Sequence, residues 1–91
     1  MIVTTDEMKN YLRVDYEDDD ELIGQMLESA QQLAMDVART EDENHFAEKK
    51  NARIAVMYAA AYIYEHREEA DYGELALTLR ALLFGIREAA F

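Results

Sequence analysis

Few side chains in this sequence could do covalent or metal chemistry. The 91 residues include no cysteine, which removes thiol nucleophiles, disulfides and thiolate zinc sites. The one serine, Ser29, and the threonines Thr4, Thr5, Thr40 and Thr78 lie in no nucleophile elbow or glycine-rich loop. Two histidines remain. His45 follows Asp42 by three positions in an acidic stretch, a spacing that can hold a metal on a helix but supplies two ligands only. His66 follows an apolar tract and suits a helix C-terminus, where positive charge meets the dipole. A di-metal bundle needs paired Glu-x-x-His motifs, which are absent. With no cluster of nucleophile, base and stabiliser, the sequence indicates neither an enzyme nor a bound cofactor.

The densest chemical feature is an acidic run, Asp15, Glu17, Asp18, Asp19, Asp20 and Glu21. A calcium loop of the EF-hand type needs glycine at its sixth position and glutamate at its twelfth. Counted from Asp15, those positions hold Asp20 and Met26, so the pattern fails. Acids suit a helix N-terminus, whose free N–H groups and dipole favour negative charge. Capping and solvation explain the run, which is thus a candidate acidic surface loop.

The whole chain is acidic, with 9 Lys and Arg against 20 Asp and Glu and a formal net charge of -11. Residues 1–45 carry -10 of this. Gripping nucleic acid takes Lys and Arg to neutralise phosphates, and adhering to anionic lipid needs the same. Both functions are excluded by the balance. Met1-Ile2-Val3 runs straight into Thr4-Thr5-Asp6-Glu7, with no basic start and no long apolar core, so a secretory leader is not expected. The longest apolar run, Ile54 to Tyr64, has 11 residues, whereas a membrane span needs about 20. The chain is expected in the cytoplasm, as one domain over 1–91. Three glycines and no proline speak against a turn-rich β fold.

Periodicity predicts an all-α fold, a small bundle of about four helices with one long central helix. Thr4-Thr5-Asp6-Glu7 reads as a capping box opening the first. The second starts within the acidic run, and Leu22, Ile23, Met26, Leu27, Ala30, Leu33, Ala34 and Val37 form its stripe. Gly24, on the edge of that stripe, suggests a close helix approach. Arg39 to His45 reads as the one substantial loop. A third helix is expected from about Phe46 to Ala70, roughly 37 Å long, ended by a glycine stop at Asp71-Tyr72-Gly73. Its centre is apolar all round, so neighbours beyond the other three helices are expected to cover part of it. The fourth helix, about Glu74 to Ala89, sets Leu75, Leu79, Leu82, Leu83 and Ile86 on one side.

Three blocks, in order, resemble a known family. The first is Val3-Thr4-Thr5-Asp6-Glu7-Met8-Lys9-Asn10-Tyr11-Leu12-Arg13-Val14-Asp15, followed by Asp18-Asp19-Asp20 and Leu22-Ile23. The second is Ala59-Ala60-Ala61-Tyr62-Ile63-Tyr64-Glu65-His66-Arg67-Glu68, and the third is Leu79-Arg80-Ala81-Leu82-Leu83 with Ile86-Arg87. Together they are similar to the small phage head–tail connector, or adaptor, proteins of the HK97 type, also labelled phage DNA-packaging proteins. The chain departs from that pattern in its short loop before the third helix and in having no proline before the last.

The resemblance implies a structural subunit without catalysis. It implies a ring of about a dozen copies under the portal protein, meeting tail-side connector proteins below. Double-stranded DNA would pass through without specific binding. The location implied is the virion's head–tail junction, with host cytoplasm before assembly; no membrane and no cofactor is involved. Tyr58, Tyr62 and Ile63 of the third helix and Arg80 and Arg87 of the last are the candidate oligomer interface. The alternative is an acidic helical module, or DNA mimic, that occupies a basic protein partner.

Overall fold

Five helices carry the chain: α1 (Thr5–Leu12), α2 (Asp20–Ala38), α3 (Glu43–Ala47), α4 (Ala52–Glu65) and α5 (Tyr72–Ala89). The computed structural model describes the backbone of residues 1–89 and the side chains of residues 1–84. Among the described residues there is no strand, and the all-α expectation holds.

The capping box at the start of α1 is present. The Glu7 N–H donates to Thr4 Oγ1 at 3.1 Å and the Thr4 N–H to Glu7 Oε1 at 2.9 Å. These bonds satisfy two backbone donors that a helix start leaves free. α1 and α2 both end on an arginine in the left-handed region, Arg13 at φ 61° and Arg39 at φ 59°. Glycine is the usual residue there, because a Cβ costs roughly 1–2 kcal/mol in that conformation. The geometry still closes both helix ends: the Val14 N–H reaches the Lys9 carbonyl at 2.9 Å, and the Thr40 N–H reaches the Met35 carbonyl at 3.1 Å.

The single long central helix is replaced by two helices and a turn. Phe46, fully buried, anchors the one-and-a-half turns of α3. The backbone then tightens through bonds from the Glu48, Lys49 and Ala52 N–H groups to carbonyls three residues back. Asn51 stands at the start of α4 and donates its side-chain amide to the Leu82 carbonyl at 2.9 Å, fixing the turn to α5. At the other end α4 stops at Glu65, earlier than expected, because the charged residues 65–69 offer nothing to bury. The chain turns back where the Asp71 N–H donates to the Tyr62 hydroxyl at 2.9 Å. Gly73 is therefore no helix stop. It lies in the first turn of α5, whose start is capped by Asp71 accepting the Glu74 N–H at 3.0 Å. The helix α4 is thus roughly 21 Å long.

The α2–α4 pair has the most extensive packing of any two helices. Ala30, Ala34 and Ala38 on α2 and Ala52, Ala55, Ala59 and Ala60 on α4 are all buried. Larger residues fill the space around them: Val3, Met8, Ile23, Leu27, Phe46, Val56, Leu75 and Leu79 are essentially sealed from water. Tyr64 near the end of α4 reaches Asp19 before α2, so the two helices run antiparallel.

Gly24 has ordinary helical geometry in the second turn of α2. An added Cβ there would meet Thr5 Oγ1 at 3.8 Å, normal van der Waals contact. The expected close approach of another helix is thus not what holds glycine at this position. Gly24→Ala should raise stability by about 0.5–1 kcal/mol, measured from urea unfolding. A lower midpoint in the variant would contradict this account.

Candidate interaction surfaces

The N-terminal residues are tied into the bundle by polar contacts. The Ile2 N–H donates to Gln31 Oε1 at 2.9 Å, and the Gln31 amide donates in turn to Glu43. This satisfies both ends of the one buried polar side chain among the described residues. Arg53 on α4 donates to the Ile2 carbonyl at 2.8 Å and to Glu7 Oε2 at 2.6 Å. The arginine thus straps the first residues and α1 to α4. The Arg53 guanidinium, helped by the Thr4 N–H, pulls the Glu7 carboxyl from the ordinary 4.5 down to about 2. Glu43 is also lowered, first by the Gln31 amide and then by the chain's terminal ammonium.

The acidic run divides into two groups. Asp20 takes Lys9 as partner, with Nζ to Oδ1 at 2.7 Å, and this contact raises the lysine's pKa. Asp19 accepts the Tyr64 hydroxyl at 2.9 Å. Tyr16 joins this group: the Tyr64 hydroxyl, with the Asp19 charge beyond it, pushes its phenol above the ordinary value. Asp19 and Asp20 therefore join α1, α2 and α4. Asp15, Glu17, Asp18 and Glu21 stay exposed, and these four form the solvated acidic surface. Asp42 likewise has a local role. It caps α3, accepting the Asn44 N–H at 2.9 Å and the His45 N–H at 3.4 Å, so its spacing from His45 is that of a helix start.

Two grooves flank α4 and α5. The first, about 470 Å³, lies between the end of α1 and α4, and Tyr11, Arg13, Tyr58, Tyr62, Glu65 and His66 contribute to it. Tyr11 and Tyr58 stand exposed at its edge, Tyr58 at 38%. Tyr62 forms its floor. Its ring stacks on His66 with centroids 4.2 Å apart, and its hydroxyl is engaged by Asp71. The second groove, about 270 Å³, lies between the end of α2 and the start of α5. Leu77, 70% exposed, projects beside Arg39 and Arg80 there.

The expected interface residues are thus spread over more than one face. Tyr58 is exposed and Tyr62 half-buried in the first groove, while Ile63 packs against the core. Arg80 is exposed in the second groove. Arg87 lies outside the described side chains. Sequence reasoning missed Ile54 and Leu77, the most exposed large apolar residues of α4 and α5 among the described side chains. Leu77 was legible: it sits two positions after Leu75 and two before Leu79, off the stripe that those leucines define. Ile54 was hidden in a tract apolar on every side.

Among the described residues, an all-α bundle with an exposed acidic loop and open lateral grooves is the geometry at hand. The family model for phage gp6-like head-tail connector proteins matches residues 2–88. The chain belongs to this family. The connector's five helices all fall within the matched span apart from the last residue of α5. Comparison with curated proteins and with solved structures finds no match. Membership makes this a structural phage protein of the head–tail junction, one that meets other structural proteins of the virion.

The connector's stability should depend on acid pH through Glu7. A carboxyl whose folded pKa is depressed contributes stability above its unfolded pKa and loses it as pH falls through the folded value. The contribution is thus complete above about pH 4.5 and lost toward pH 2. Urea midpoints of the wild type should fall across that window, and Glu7→Gln should fall less steeply. Equal slopes in the two proteins would show that the Arg53 contact has no proton linkage.

Proposed function

We propose that the chain is the repeating subunit of a ring at the head–tail junction, between the portal protein and tail-side connector proteins, through which double-stranded DNA passes. The observation that carries this reading is the match of nearly the whole chain to the connector family. The reading assigns it no catalytic step. Exposed apolar side chains on α4 and α5 support it, since a closed ring requires each subunit to be covered on two sides.

Charge fits a conduit. Lys and Arg on a channel wall would hold phosphates, whereas acids let the duplex slide. Asp15, Glu17 and Asp18, free of internal partners among the described residues, are the acids we assign to the DNA-facing side. A ring of about a dozen copies, each at -11, gathers on the order of 130 negative charges. Repulsion at that density is screened over about 8 Å at physiological ionic strength. Association should therefore strengthen with salt and with protein concentration.

Sedimentation at several salt concentrations should show monomer in dilute low salt and large species at high concentration. A tight dimer unchanged by either variable overturns the ring. In assembled phage, the triple variant Asp15→Lys, Glu17→Lys, Asp18→Lys should slow genome ejection severalfold. Unchanged ejection would put the loop on the outer wall.

A further inference from the structure

We propose that Asp19 is a two-position latch. Its carboxylate either tethers the acidic loop to the end of α4 through Tyr64, as here, or swings back to cap α2, and the loop moves with it. The starts of α1 and α3 show what a short polar residue does when nothing competes for it. Thr4 accepts the Glu7 N–H at 3.1 Å, and Asp42 accepts the Asn44 N–H at 2.9 Å. Asp19 holds the same position before α2 yet makes no capping bond. Its carboxylate accepts the Tyr64 hydroxyl instead, at 2.9 Å and 45 residues away. The Glu21 and Leu22 N–H groups, which a side-chain cap would satisfy, have no acceptor among the described residues.

The backbone follows the side chain. Thr4 and Asp42 are extended, with ψ 161° and 111°, as a capping residue is. Asp19 has φ -104° and ψ 9°. Asn51, whose side-chain amide is likewise given to a distant carbonyl, has nearly the same backbone, φ -107° and ψ 19°. Local capping and long-range tethering thus go with two different backbone states in this chain. For Asp19 to pass from one to the other takes a ψ rotation of more than 100°. That rotation turns residues 14–18 relative to α2. The helix itself stays in place, because Lys9 holds Asp20 at 2.7 Å and Ile23 is buried. Asp15, Glu17 and Asp18 are exposed on the moving segment, so the latch re-aims negative charge.

The two positions exchange one hydrogen bond to a carboxylate for another, which keeps them similar in energy. In the tethered position the carboxylate has a phenol donor, and the first N–H groups of α2 are left to water. In the capped position those N–H groups gain the carboxylate, and the Tyr64 hydroxyl turns to water. Competition of this kind between a local backbone donor and a partner elsewhere is characteristic of short polar side chains. Arg67 over the Tyr64 ring at 4.6 Å and Tyr16 beside its hydroxyl steady the tethered position. Whatever favours one position over the other moves the loop. The latch is built within one chain and does not depend on the ring reading.

Tyr64→Phe keeps the ring beside Arg67 and removes only the tether. Amide hydrogen exchange, followed by NMR on the full chain, reads the response. In the wild type the Glu21 and Leu22 N–H groups should exchange nearly as fast as in an unfolded chain, while the Asp20 N–H is slowed by the Glu17 carbonyl at 3.1 Å. In Tyr64→Phe the pattern should reverse. Glu21 or Leu22 slows about fivefold as the cap forms, and Asp20 speeds up as the rotation breaks its bond. Adding Asp19→Ala to that variant should abolish the slowing. Unchanged exchange of Glu21 and Leu22 in Tyr64→Phe overturns the proposal, as does slowing that persists without the Asp19 carboxylate. Should Tyr64→Phe fail to fold, Asp19→Ala alone decides. A side chain that caps nothing leaves Glu21 and Leu22 exchange as in the wild type, whereas exchange about fivefold faster means that Asp19 already capped α2 and overturns the latch.

Discussion

The seam of small side chains between α2 and α4 is the constraint on which the rest of the structure hangs. Alanine contributes little apolar area, so the pair is held by close approach of two backbones and by the larger residues packed around it. That arrangement leaves most of the bulk to a few side chains on other elements, such as Met8 from α1, Phe46 from α3, and Leu75 and Leu79 from α5. Each flanking element therefore brings one or two large plugs to a common site. A chain this short buries a limited fraction of its surface, and plugging from every side makes efficient use of it.

Polar contacts do a different job from the seam. Lys9 with Asp20, Arg53 with Glu7, and Gln31 with Ile2 join elements far apart in sequence. They sit at the margins of the core, where partial hydration keeps the desolvation cost low and the energetic gain small. Their main effect is to fix how α1 and the N-terminal residues lie against the seam. Each ion pair takes up one base and one acid, so the net charge of -11 is unaffected by the pairing.

Much of the fold was legible in the sequence, because it was written in local rules. The capping box at Thr4, the stripe along α2 and the apolar side of α5 each follow from neighbours within a turn or two. The central helix was misread for the opposite reason. Nothing between Phe46 and Ala52 breaks a helix by composition, and the turn there is set by the burial of Phe46 and by Asn51 reaching Leu82, contacts made across the fold. The same holds for the acidic run. Its six acids look alike in sequence, and only tertiary contacts with Lys9 and Tyr64 separate Asp19 and Asp20 from the rest. Of the interaction surfaces, Tyr58 and Arg80 were readable by type. That they belong to separate grooves was not, since that depends on how α5 crosses the pair.

The two left-handed arginines have a consequence for how freely this sequence can drift. Arg13 contributes to the first groove, with Tyr58, and Arg39 to the second, with Leu77, so both bent residues line open clefts of the bundle. A glycine at either position would relax the backbone, and one nucleotide change can turn many arginine codons into glycine codons. Such a change would improve the isolated fold while stripping a cation from its rim. Backbone economy alone therefore favours glycine at both positions, while arginine keeps a cation on the rim of each cleft.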